Sequence, residues 1–357
     1  MCIKYSINDW MTYLFRRTAH FNVVLKVFWT MMVGIISVGE GHSQDPLFSQ
    51  YYAMPMQINP GFSGINYAPR MELIYRNQWP VLDPSAPAYV TYAVAYDQFF
   101  KSLNSGIGFQ LLADDAGGGL IKTIKGAFTY GYQAQIKRDH FLRGGIELGF
   151  VQTRYGWDKF VFGDQLHPEF GFLSPGGTPI ASQEIRPDKV QTSYLDIGTG
   201  LLYISPTFNI GISAKHINSP SNDILKINAS AYNGIPIRWV IHGSGRWPVD
   251  RSRKVILNPS VLLARQSSFF QANLGGQLEF SNFFGGLWYR IAKDQSDALI
   301  TVLGFRKQAW KFSYSFDYTT SALGIGSGGS HELSIGIFLE RIRKQKVDIS
   351  DCFEAFR

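Results

Sequence analysis

Histidine is the side chain best suited to acid–base and metal chemistry near neutral pH, and this chain has seven. They are scattered. His20 and His42 lie in or beside an N-terminal stretch with the features of an export signal, and His140 sits at a turn. His167 falls in a long loop with Asp164 and Glu169, but their spacing matches no strong metal-ligand pattern, and proline and glycine dominate the rest of that loop. His242 precedes Gly243-Ser244-Gly245, yet adjacent strand residues face opposite ways, and there is no G-x-S-x-G elbow or phosphate-cradling loop in it. Ser330-His331-Glu332 has the look of a strand start at a water or headgroup boundary. Cys2 departs with the signal, which leaves Cys352 alone, so the mature chain can form no internal disulfide. The expectation is a protein without catalytic, metal or cofactor sites. Charged residues at inward positions of strands, such as Arg143, Glu147, Asp196 and Asp317, suit either a channel lining or ion pairs in a plugged lumen.

The elements that carry these residues are strands. Lys311–Thr319 places Phe312, Tyr314, Phe316 and Tyr318 on one face and Lys311, Ser313, Ser315 and Asp317 on the other. His331–Glu340 repeats the pattern, with Leu333, Ile335, Ile337 and Leu339 opposite Glu332, Ser334, Gly336 and Glu340. About fourteen such segments succeed one another from Arg70. Several are ten residues or longer, against the usual five or six of soluble strands. Alternate connections are very short (Lys101–Asn104, Lys137–Asp139, Ser205–Pro206, Ser281–Asn282, Lys307–Gln308). The intervening ones include Gly156–Thr192, Asn218–Pro236 and Ser321–Gly329, with Gln266–Ser268 the one short misfit. Short turns at one end and long loops at the other mark an outer-membrane barrel. A charged content of 17%, well under the roughly one quarter of soluble proteins, agrees. The fold class expected is all-β, a transmembrane antiparallel barrel over residues 70–340. On that reading Phe316→Arg is costly against lipid, whereas Ser315→Arg is tolerated if the lumen has room.

Residues 1–43 have the order of a cleaved signal: Lys4, Arg16 and Arg17, an apolar run over Phe21–Val38, then Gly41 and Ser43 before Gln44. Removing its four cations and two acids lowers the formal charge from +7 to +5, and no basic stripe points to nucleic acid. Residues 44–69 form an irregular, aromatic arm. Pro46, Pro55 and Pro60 exclude a long strand, and Phe48, Tyr51, Tyr52 and Phe62 suit packing at the periplasmic mouth or in the lumen, with a flexible tether the alternative. Residues 341–357 form a basic periplasmic tail, solvated or docked on a partner.

Several motifs together resemble the PorP/SprF family of outer-membrane proteins of the type IX secretion and gliding machinery. They are Q-D-P-L-F-S-Q-Y from Gln44, I-N-P-G-F-S-G from Ile58, and R-N-Q-W from Arg76. F-G-D-Q (Phe162–Gln165), A-K-H-I-N-S-P (Ala214–Pro220) and G-G-S-H-E-L-S-I (Gly328–Ile335) complete the set. Where the family often shows N-P-A-x-A-G, this chain has N-P-G-F-S-G. The resemblance implies a non-enzymatic barrel in the cell outer membrane that supports secretion or surface attachment of adhesins with C-terminal sorting domains. It also implies periplasmic ring proteins and a peptidoglycan-binding lipoprotein as partners, beside outer-membrane lipid. A passive pore or solute transporter is the alternative. Asp45, Pro46, Phe48, Ser49, Gln50, Tyr51, Asn59 and Pro60 carry the N-terminal motif and are the expected partner-binding residues, unless the arm packs within the barrel.

Overall fold

Every long alternating segment pairs with its neighbour, and the last pairs with the first. In the computed structural model the described residues are 45–66, 68–81, 88–171, 173–221, 234–250, 252, 254–293, 297–320 and 325–339. The expected export signal and the basic tail lie outside them. The strands are β1 (Arg70–Gln78), β2 (Tyr89–Phe100), β3 (Ser105–Ala116), β4 (Ile121–Lys137), β5 (His140–Tyr155), β6 (Gln191–Ile204) and β7 (Phe208–Lys215). They continue as β8 (Arg238–Gly245), β9 (Val255–Gln266), β10 (Phe269–Phe280), β11 (Phe283–Ala292), β12 (Ala298–Lys307), β13 (Trp310–Thr319) and β14 (Ser330–Phe338). All neighbouring pairs are antiparallel. β1 meets β14 from Arg70 opposite Phe338 to Gln78 opposite Ser330, which closes a fourteen-stranded barrel. Closure satisfies the backbone without an edge, as lipid demands.

One ladder has a local gap. β8 resumes pairing with β9 at Trp247–Pro248, opposite Leu257 and Ile256, in unbroken register. The unpaired positions face Asn258 and Pro259; proline has no N–H to give β8, and Arg246 N instead donates to Thr207 O at 2.8 Å.

The alternation sorts lipid from lumen. Leu303, Phe128, Leu148 and Leu287 point outward and are exposed, while Asp317, Ser315, Glu332 and Arg143 point inward and are buried. Exposed aromatics ring both edges, with Tyr89, Trp239 and Tyr318 at one and Tyr132, Trp247 and Trp310 at the other. The two-residue turns at Arg138-Asp139, Ser281-Asn282 and Gln308-Ala309 share the end where β1 starts and β14 stops. That end is periplasmic by the usual asymmetry of these barrels. The short connection Ser267–Ser268 does occupy an external slot, held by Ser267 at a positive φ of 52°.

The inner wall differs from a uniformly wet one. Ile74, Phe141, Leu202, Val240, Leu262, Trp288 and Ile300 also point inward, and they are buried against Phe48, Tyr51, Tyr52, Met54, Met56, Ile58 and Phe62. The arm supplies the apolar half of an internal core, so inward positions need not be polar. Room at Ser315 is therefore absent: this side chain is 0% exposed and accepts a hydrogen bond from Gln50 Nε2 at 3.0 Å. Ser315→Arg is expected to displace the arm, correcting the tolerance expected of a roomy lumen.

Leu303, at 71% exposure on the outer face, tests the lipid assignment. Leu303→Arg should destabilise the folded barrel by about 2–4 kcal/mol if it lies at the bilayer midplane, read as a shifted unfolding midpoint in lipid. Leu303→Phe should leave that midpoint nearly unchanged.

Candidate functional site

Chain geometry sends residues 45–66 through the lumen. Asp45 lies beside His216 and Arg238 at the external ends of β7 and β8. Gly64 lies against Gln98 and Gly106 near the periplasmic ends of β2 and β3. Between them run an irregular turn, a single helical turn α1 (Pro55–Ile58), and a 3-10 turn (Pro60–Phe62). Proline at the first position of each turn costs no hydrogen bond, because that N–H would be unpaired anyway. The Asn59 side chain starts the second turn by accepting from Gly61 N at 2.8 Å.

The lower half of this plug, residues 56–64, sits on a track of inward-facing glycines. A Cβ added at Gly106 would overlap Ser63 O, one at Gly145 would overlap Gly61 N, and one at Gly200 would overlap Asn59 Oδ1. Only a wall without side chains at these positions lets the plug come this close. Polar contacts then fix the register. Arg143 donates to Gly61 O at 2.9 Å and to Ser63 O, and Ser213 Oγ donates to Ile58 O at 2.6 Å. Asp97 accepts from Gly64 N at 2.7 Å while pairing with Arg70 at 2.8 Å.

The upper half, residues 45–52, is gripped by carboxylates and amides. Glu332 accepts the main-chain N–H groups of Ser49 and Gln50 at 2.7 and 2.8 Å and pairs with Arg76 at 3.0 Å. Arg76 also donates to Leu47 O at 2.6 Å. Asp317 accepts from Ser49 Oγ at 2.6 Å and from Arg290 at 2.8 Å. The Gln50 amide oxygen accepts from Ser313 and Ser334 at 2.7 and 2.9 Å. Tyr51 reaches Ser260 at 2.7 Å, and Tyr52 stacks on Trp288 with ring centroids 5.4 Å apart. At the top, His216 bridges Asp45 and Asp196 at 2.8 Å each, and Lys125 links Asp196 to Glu147 at 2.6 and 3.0 Å.

Of the residues expected to bind a partner, Phe48, Ser49, Gln50, Tyr51, Asn59 and Pro60 are buried in the lumen, and only Asp45 and Pro46 keep partial exposure. The structure brings three separate motifs onto one segment. Arg76 of R-N-Q-W, His216 of A-K-H-I-N-S-P, and Glu332 and Ser334 of the closing motif all touch the arm. Asp97, Lys125, Arg238 and Arg290 were not singled out from sequence. Their signal was a charge at an inward position of an alternating strand. The residues weighed for catalysis play other parts. His242 and Ser244, two apart, do share the inner face, which corrects the expectation of opposed faces. Yet His242 meets Asn59 at 3.1 Å, and Ser244 accepts from Asn209 at 2.6 Å. In the long loop Asp164 accepts from Ser182 and Gln183, and His167 Nδ1 accepts from the main chain of Glu169 and Phe170. These contacts brace the loop.

A closed antiparallel barrel with a lipid-facing apolar belt and a plugged lumen is an outer-membrane protein. The chain belongs to the PorP/SprF family of type IX secretion system membrane proteins, which matches residues 40–337. No curated protein is significantly similar to it. Among solved structures it is similar to the monoaromatic hydrocarbon channel CymD, at 12% identity over 82% of this chain and 94% of that one, with a TM-score of 0.46. It is also similar to the P. putida toluene transporter TodX, at 8% identity over 79% and 93%, with a TM-score of 0.45. Acinetobacter baumannii Omp33 matches at 7% identity over 77% and 100%, with a TM-score of 0.42. The transport roles in those names belong to those proteins.

The glycine track yields a direct test. Gly145→Val should unseat the lower plug, so that a protease cleaves within residues 45–64 while the barrel still shows heat-dependent gel mobility. Gly126→Val, where the nearest atom to a new Cβ is Leu111 Cδ2 at 3.4 Å, should leave the plug protected.

Proposed function

We propose that this barrel serves the type IX secretion system as a non-enzymatic part that supports secretion or surface attachment of proteins with C-terminal sorting domains, adhesins among them. The observation that carries this reading is the filled lumen. The segment 45–66 occupies it from the external third to the periplasmic rim, bonded to wall residues on most of the strands. A passive diffusion pore needs a standing water path and has no use for so many contacts along it. Family membership supplies the machine in which such a plugged barrel acts. Periplasmic ring proteins and a peptidoglycan-binding lipoprotein are the proposed partners on the short-turn side, reached through the periplasmic rim and the basic tail. A partner docking on Asp45, Pro46, Phe48, Ser49, Gln50, Tyr51, Asn59 and Pro60 would meet them only with the arm drawn out of the lumen. Export by a cleaved signal over residues 1–43 belongs to the same proposal.

Loss of the protein should abolish secretion or display of such a substrate, and mild-detergent purification of the intact barrel should bring down a periplasmic lipoprotein or the adhesin. Deleting 341–357 should weaken the lipoprotein contact while the barrel still assembles. Secretion that survives loss of the protein, together with disappearance of one solute's uptake, would establish the transporter reading instead.

A further inference from the structure

Wall side chains grip both halves of the plug through polar contacts, but the close glycine seating belongs to the lower half. Residues 56–64 are seated against the glycine track in addition to the polar contacts from Arg143, Ser213 and Asp97. Residues 45–50 are held by polar groups, and each carboxylate that grips them already has a cation on the wall. Glu332 has Arg76 at 3.0 Å, Asp317 has Arg290 at 2.8 Å, and Asp196 has Lys125 at 2.6 Å. A buried charge stripped of its partner is strongly unfavourable, but withdrawal of residues 45–50 strips none of these three. Arg238 would lose Asp45 yet still donate to Gln57 O at 3.3 Å. Without the upper arm those three wall pairs persist and His216 keeps Asp196, and Arg238 alone loses the carboxylate paired with it among the described residues.

We propose that residues 45–50 form a latch over the external third of the lumen, which leaves and returns while residues 56–64 stay seated. The turn through Tyr51–Met54, ahead of α1, separates the two parts. In the open state the amides of Ser49 and Gln50 and the Gln50 side chain exchange wall partners for water near the external mouth, where Asp45, Pro46 and Leu47 are already partly exposed. Burial of Phe48, at 1% exposure, is the chief apolar contribution that opposes opening. The device thus gates the outer mouth and leaves the periplasmic side of the lumen stoppered. It rests on the geometry alone and stands whether the barrel serves secretion or transport.

Single cysteines placed in a Cys352→Ser background of the full-length protein test it in intact cells with a membrane-impermeant maleimide. Ser49→Cys should label in the folded barrel. Ser63→Cys, next to the glycine track, should label only after unfolding. Gln50→Cys, which keeps the Ser49–Asp317 bond, should behave as Ser49→Cys does. Equal labelling rates at positions 49, 50 and 63 would mean that the plug moves as one body, and the latch would be wrong. Protection of 49 and 50 as complete as that of 63 would equally overturn it.

Discussion

A ring of fourteen strands is wider than its own side chains can fill. Eight strands already enclose about as much space as inward side chains occupy, and larger rings hold water, a ligand or a plug. The rest of this structure depends on how that space is filled. The chain fills it with its own residues 45–66, and the inner wall becomes the outside of a core. Apolar residues from both sides are buried there as in a soluble domain, with Tyr52 on Trp288 and Phe62 5.0 Å from His242. The membrane face and the lumen face are therefore both partly apolar, for opposite reasons: one meets lipid and the other meets protein.

Filling the lumen with an irregular segment raises a second problem. Main-chain groups of residues 47–64 cannot all pair within the segment, so the wall must supply partners. It does so at widely separated positions. Glu332 takes two N–H groups, Asp97 takes one, and Arg76 and Arg143 serve carbonyls. Each of these side chains is a charge in a buried place, and neighbours balance the charges: Arg76 with Glu332, and Arg70 with Asp97. Several of the pairs also cross strand boundaries. Glu332 on β14 and Arg76 on β1 meet across the seam that closes the barrel, with Ser49 and Gln50 bonded to the same carboxylate. Plug and closure are one arrangement.

For a secretion-system barrel this makes the lumen a controlled space. Polar grips hold residues 45–50 near the outer mouth, and polar grips together with close glycine seating hold residues 56–64 near the periplasmic rim. The external loop Gly156–Thr192 stands apart from this, braced by its own contacts from Asp164 and His167.

The alternation of Lys311–Thr319 and its counterparts was enough to imply a barrel of about fourteen strands and the face of most residues, though not that His242 and Ser244 share one. Period-two burial is a local property, and lipid punishes any departure from it. Turn lengths likewise determined which end is which, because they are written in consecutive residues. The proline-rich, aromatic character of residues 44–69 implied packing but could not say against what. Only the tertiary structure brought Arg76, His216 and Glu332 onto Asp45–Gln50, since these positions are far apart in sequence and one segment leaves no periodic mark on the strands it touches. The glycines at 106, 145 and 200 carried the same information in hidden form. A glycine facing inward from a strand looks like any other until the chain that needs its missing side chain is laid against it.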